Sequence, residues 1–203
     1  MKKIKKYLKK HLTKDRYHHT LGVAYTAIAL AMRYNPDPGN SSFMKRAETA
    51  GLLHDCAKCM DNDKKLHLCD KNHIPYSNFE AGHPYLLHGK VGAHIARTKF
   101  GIQDEDILQA ITWHTTGRPD MSLLEKIIFI ADYIEPSRNP IPELDEIRQL
   151  AFIDIDKAMQ KILANTLKFL ETKGNPIDKM TQTTYDSYLR PAYKPAYKGG
   201  NFA

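Results

Sequence analysis

The stretch from Ser122 to Pro136 limits the fold more than any other. Ser122 and Glu125 form an S-x-x-E capping signal, which marks a helix N-terminus. The helix behind it is predicted over Leu123 to Ile134, and Pro136 stops it. Leu124, Ile127, Ile128, Phe129, Ile130 and Ala131 are too many apolar residues for one face. This helix is therefore buried nearly all round and must be wrapped by other elements. Asp132 lies inside it. A buried carboxylate needs a cation, hydrogen-bond donors or a metal, so Asp132 is the most telling acid in the chain.

The wrapping elements read as helices. Arg16 to about Arg33 carries Val23, Ala24, Ala27, Ile28, Leu30 and Ala31, and the turn formers of Asn35 to Ser42 end it. Another helix starts near Phe43 and reaches the pair His54-Asp55. Asp61 to Lys71 reads as a short polar helix and Asn72 to His83 as loop. Pro84 to about Phe100 is helical, with Leu87, Val91 and Ile95 at i, i+4, i+8. Further helices are predicted over Asp104 to Trp113, Leu144 to Ala151 and Asp156 to Lys173, the last closed by Gly174 and Pro176. Thr115 to Pro119 is a loop, and Pro191 to Gly200 opens a mobile tail over 191–203. No segment reads as a strand, so the fold class is all-α, with one domain over 1–190.

Charge is concentrated rather than spread. The 203 residues carry a formal net charge of +7. Residues 1–16 hold eight Lys and Arg against the single acid Asp15, which leaves 22 bases and 22 acids elsewhere. The basic segment places Ile4, Tyr7, Leu8 and Leu12 at helical spacing, so it reads as an amphipathic helix with a solvated lysine face. A role for it toward anionic ligands or RNA is the lesser reading, because the body of the chain is neutral. No apolar run approaches the ~18 residues of a membrane span, and no signal peptide is visible. Cys56, Cys59 and Cys69 are read as reduced thiols of a cytoplasmic protein. Cys56 and Cys59 match C-x-x-C, but no second pair completes a zinc site.

The chemistry is predicted to lie with histidines and aspartates from separate helices. His54 and Asp55 adjoin at the end of a small apolar run. Both can lean toward one point only if it lies close to the backbone, and a metal ion suits that. His18 or His19 before them, and His88, His114 and Asp132 after them, sit at or near helix ends or on helices whose other face is apolar. Spacing alone does not choose between His18 and His19. Four imidazoles and two carboxylates are too many donors for one tetrahedral zinc. They fit two ions sharing a bridging carboxylate, with mixed nitrogen and oxygen ligation that suits iron, manganese, cobalt or zinc rather than magnesium. His11, His67, His73 and His94 are read as bystanders.

The order His, His-Asp, Asp across a helical chain resembles the HD-domain metal phosphohydrolases. A closer likeness lies in Arg16 to Val23, Leu53 to Lys58, His88 to Ala93, Trp113 to Gly117 and Ala131 to Arg138. These segments resemble the YqeK-type HD proteins, symmetrical bis(5'-nucleosyl)-tetraphosphatases that cut diadenosine tetraphosphate into two ADP. The resemblance spans about residues 4 to 190. It implies an HD-domain helical bundle with a buried dinuclear metal site, and it selects His19 over His18. It further implies that His19, His54, Asp55, His88, His114 and Asp132 hold two divalent ions, iron by family, with Asp55 as bridge and catalytic group. Lys58, three residues after Asp55 and so on its face, would neutralise charge on the phosphate. Arg138 would bind a terminal phosphate, Thr115 and Gly117 would meet phosphate or base, and His83 would give a proton to the leaving group. His19, His114 and Asp132 would also border the substrate, a dinucleoside polyphosphate giving ADP- or GDP-like products. Another HD-type activity, nucleotidase or phosphodiesterase, is the alternative; a non-catalytic RNA-binding module using the basic helix is the rival from another class. A homodimer would need an exposed apolar face, which the sequence does not locate.

Overall fold

The computed structural model describes residues 1–189, and the stretch read as a tail, 191–203, lies outside the described residues. Among the described residues, eleven α-helices and one 3-10 turn account for the regular structure and no strand occurs. In chain order the helices are α1 (Lys2–His11), α2 (Lys14–Tyr34), α3 (Ser42–Leu53), α4 (Asn62–Lys71) and α5 (Asn78–Gly82). The 3-10 turn Pro84–Leu87 leads into α6 (His88–Phe100), then α7 (Glu105–Trp113) and α8 (Leu123–Ile134). The last three are α9 (Leu144–Ala151), α10 (Ile155–Thr172) and α11 (Lys179–Leu189).

Helix α8 is the axis of the bundle. It packs against α2, α3, α7, α9 and α10. Every residue from Leu124 to Ala131 is buried, including Glu125 and Lys126. Its N-terminus is built as its sequence suggests: the Ser122 hydroxyl accepts the Glu125 N–H, and the Glu125 carboxylate accepts the Ser122 N–H. The two buried charges are paired, Glu125 with the Arg118 guanidinium and Lys126 with Asp156 at 2.6 Å, as burial of charge requires. Around this axis one apolar core joins Leu8 of α1 to Tyr188 of α11.

The basic segment forms α1, which buries Ile4, Leu8 and, just past its end, Leu12. Three elements depart from the sequence reading. The stretch Asn72 to His83, read as loop, contains α5, started by a capping box between Ser77 and Glu80. It was hidden because five residues are too few to show a helical period. Helix α11 has no counterpart among the helices expected from the sequence. It buries Thr181, Thr184 and Tyr188, a polar inner face with no aliphatic stripe. The 3-10 turn splits the helix predicted from Pro84, and the split puts His88 at a junction.

Candidate metal centre

Three of the four histidines that face the centre are held at helix ends. There the carbonyls of the last turn have no intrahelical donor. His54, at the end of α3, donates Nδ1–H to the Gly51 carbonyl at 2.7 Å. His88 does the same to Tyr85 and His114, at the end of α7, to Ile111, each at 2.7 Å. His19 sits in the middle of α2, where the carbonyls are used by the helix itself. Its Nδ1 instead meets a side chain, the Glu135 Oε1, at 3.0 Å. All four Nδ1 atoms thus face groups that only accept, so Nδ1 carries the hydrogen and Nε2 presents a lone pair.

Those four lone pairs converge on Asp55. Its Oδ1 lies 3.2 Å from His88 Nε2 and 3.5 Å from His114 Nε2, and its Oδ2 lies 3.4 Å from His54 Nε2 and 3.9 Å from His19 Nε2. Asp132 Oδ1 completes the group, 2.9 Å from His19 Nε2 and 3.9 Å from His54 Nε2. His88 Nε2 and His114 Nε2 are 3.0 Å apart. Acceptors therefore face acceptors at contact distance. His19 Nε2, His54 Nε2 and Asp55 Oδ1 are buried without a hydrogen-bond partner, a costly state unless cations lie between them. Protons can serve, and so can metal ions. His19, His54 and Asp55 offer donor atoms within 4.8 Å of one another, as do Asp55, His88 and His114, and His54, His114 and Asp132. The group is compatible with divalent metals, and Asp55 presents one oxygen to each side.

The electrostatics suit that use. Burial opposes the charge on Asp55, but where protons rather than metal ions lie between the acceptors, the protonated imidazoles of His54, His114 and His88 supply the charge and the N–H donors that hold it well below the ordinary carboxylate range. Asp132 is likewise opposed by burial and held low by His19, His54 and Arg138. Burial pushes His88 down to about 4, so its ring is neutral at pH 7, the form that ligates a metal.

Cationic side chains line the approach. Lys58 Nζ donates to His88 Nε2 at 3.1 Å and lies 3.9 Å from Asp55 Oδ1. Arg138 grips Asp132 twice, through Nε to the carbonyl at 2.9 Å and Nη2 to Oδ1 at 3.1 Å. The Thr115 hydroxyl lies 3.3 Å from His88 Nε2 and 3.2 Å from His114 Nε2. His18 is exposed while His19 is buried in the group. His11, His67 and His73 are exposed, and His94 lies on the outer side of α6. The three cysteines are free thiols.

Two expected residues are held by contacts of their own rather than by the six donors. His83 caps α5, donates Nδ1–H to the Phe79 carbonyl at 2.9 Å and stacks on the Phe79 ring. Gly117 is not brought to the centre. Its N–H donates to the Trp113 carbonyl at 2.8 Å, its φ is +65°, and a Cβ there would meet Thr184 of α11 at 2.8 Å. It serves the turn after α7, and its amide is not open to a phosphate. Two further residues, absent from the expected set, join the site. Arg16 donates to Asp55 Oδ2 at 2.9 Å, and Glu135 holds His19. Arg16 stands three residues before His19 on α2, which is the available signal for it; Glu135, just past the end of α8, carries no helical spacing to Asp132.

Comparison with known proteins agrees with this geometry. Residues 16–137 match the HD domain family model. A Bacillus subtilis (strain 168) protein named bis(5'-nucleosyl)-tetraphosphatase, symmetrical, is 42% identical over 88% of this chain and 92% of its own length. A protein of the same name from Halalkalibacterium halodurans is 44% identical over 90% of this chain and 93% of its own. The crystal structure of a Clostridium acetobutylicum protein described as a predicted HD superfamily hydrolase involved in NAD metabolism superposes with a TM-score of 0.86 at 42% identity. It covers 93% of this chain and 96% of that one. The chain belongs to the HD domain family, within the group of relatives named symmetrical bis(5'-nucleosyl)-tetraphosphatases.

Proposed function

We propose that the protein hydrolyses dinucleoside tetraphosphates symmetrically, cutting diadenosine tetraphosphate into two ADP. The observation that carries this reading is the convergence of four imidazole Nε2 atoms and two carboxylates on a cation-lined approach, in a chain so similar over its length to relatives of that name. His19, His54, Asp55 and Asp132 would hold one divalent ion, and Asp55, His88 and His114 a second. Bound there, the ions supply an activated water and positive charge at the phosphate. The family points to iron, and the donor set would also accept manganese, cobalt or zinc.

The protein's own groups do the rest. Water attacks phosphorus, the anhydride P–O bond breaks, and ADP leaves with the electron pair. Lys58 neutralises charge that develops on the phosphate. Arg138, already fixed by two hydrogen bonds to Asp132, offers its remaining N–H groups to a phosphate of the tetraphosphate chain. Thr115 orients a phosphate oxygen through its hydroxyl, and Arg16 adds charge on the side of Asp55 Oδ2. His83, whose Nδ1 is held by Phe79, keeps Nε2 for delivering a proton to the leaving oxygen. Gly117 has no part. Residues 1–190 act as one catalytic domain in the cytoplasm. Among the described residues no helix is long and apolar enough to cross a membrane.

The test is product analysis. Protein purified under reducing conditions is given diadenosine tetraphosphate with ferrous iron or with chelator, and the nucleotides are separated. ADP as sole product, lost with chelator, is expected. AMP plus ATP would overturn the symmetric cut. Turnover of mononucleotides or cyclic nucleotides alone would favour another HD-type phosphohydrolase.

A further inference from the structure

Glu135 is used by none of the roles above, yet it is among the most firmly held charges in the molecule. It is 1% exposed. Oε1 faces His19 Nδ1 at 3.0 Å and accepts the Ser137 hydroxyl at 2.7 Å, while Oε2 accepts the Ser137 N–H at 2.7 Å. Its backbone is pinned as well, since its carbonyl accepts from Arg148. Pro136 ends α8 there, and the extended backbone of Glu135 turns its side chain onto α2. Gly22, three residues after His19 on α2, leaves the slot it fills: a Cβ at Gly22 would collide with Glu135 Oε2.

The consequence is an asymmetry. His54, His88 and His114 rest on neutral carbonyls, and His19 alone rests on a carboxylate. A carboxylate behind an imidazole fixes its tautomer and makes Nε2 a stronger donor. Cations stand on both sides, Arg16 at Asp55 Oδ2 and Arg138 at Asp132 Oδ1 near His19, and Lys58 3.1 Å from His88 Nε2, so the difference between the sides lies in Glu135 and in Asp132 Oδ1, which is 2.9 Å from His19 Nε2. Resting on the reading of this group as a two-ion centre, we infer that Glu135 is a positioning residue that makes the His19–His54–Asp132 side the tighter, first-filled subsite and leaves the His88–His114 side to fill second.

The experiment is titration of chelated full-length protein with cobalt(II), followed by visible absorption and by calorimetry. Wild type should bind in two steps. Glu135→Gln keeps a hydrogen-bond acceptor for His19 and removes the charge, so it should weaken the tighter step by about 10- to 100-fold and leave the weaker step in place. His88→Ala should abolish the weaker step alone. Gly22→Ala, which crowds Glu135 without changing a donor, should act on the same step as Glu135→Gln. An unchanged tighter step in Glu135→Gln, or equal weakening of both steps, would overturn the inference while the two-ion centre stands. Wild-type protein that binds no cobalt would overturn the centre itself.

Discussion

Gly89→Ala links packing to the centre most directly. Gly89 follows His88 at the start of α6, against the end of α7. A Cβ there would lie 2.6 Å from the Thr112 carbonyl oxygen and 3.0 Å from that of Ile111, where ordinary contact begins near 3.4 Å. Both obstacles are backbone, so relief requires α6 and α7 to part by several tenths of an ångström. Overpacking of this kind costs about 1–3 kcal/mol. For a chain this long each kcal/mol lowers Tm by about 2–4 °C, so the variant should melt roughly 2–12 °C below wild type. The Ile111 carbonyl also holds His114 Nδ1, and His88 precedes the substituted residue. Both imidazoles of one subsite are therefore disturbed together, and a bound ion should be lost from that side. Calorimetric melting of chelated protein reads the packing; metal content of loaded protein reads the coordination. Gly82→Ala is the control, since nothing lies within 4 Å of its Cβ. It should be neutral or stabilise by up to about 1 kcal/mol. A Gly89→Ala protein that melts with wild type and keeps its full metal content would refute the argument.

Other outcomes follow from the same geometry. Lys58→Met should lower kcat by about 10²–10³-fold with metal content unchanged, read by steady-state kinetics beside elemental analysis; lost metal would make Lys58 a structural residue instead. Arg138→Lys keeps the charge and loses the planar fork, so KM should rise more than kcat falls. Chelated protein should lose stability in acid. His88 is pushed down to about 4 from 6.5 by burial. Between those values the unfolded chain binds a proton that the native protein does not, so this contribution is complete above about pH 6.5 and falls away as pH drops through about 4. Asp55 and Asp132, held low in the folded protein, extend the loss in the same direction further into acid. Urea midpoints that do not fall between about pH 7 and about pH 4 would contradict this.

Periodicity is local, and what it reports was legible in the chain. The capping box at Ser122, the stop at Pro136 and the apolar surplus between them determined α8 and the burial of Leu124 to Ala131; Asp132, expected to be buried with them, keeps 22% of its side chain exposed and still meets His19 and Arg138. The same logic found α1, α2, α3, α6, α7, α9 and α10 to within a few residues. It failed for α5, too short to show a period, and for α11, whose inner face is Thr181, Thr184 and Tyr188. The six donors could be named from residue type and motif, but spacing did not separate His18 from His19. Tertiary packing did, by burying one and exposing the other. Contacts across long separations were beyond any local pattern. Glu135 is 116 residues from His19, and Arg16 is 39 from Asp55. Only the packing of α2 on α8 and α3 could bring them together. Gly117 shows the converse. Its place in the loop after His114 was plain in the sequence, but its amide was claimed by the end of α7, because a helix end satisfies its own carbonyls before it serves a ligand. The sequence determined the helices and the kinds of donor. The tertiary structure decided which donors meet, and which second residue holds each of them in place.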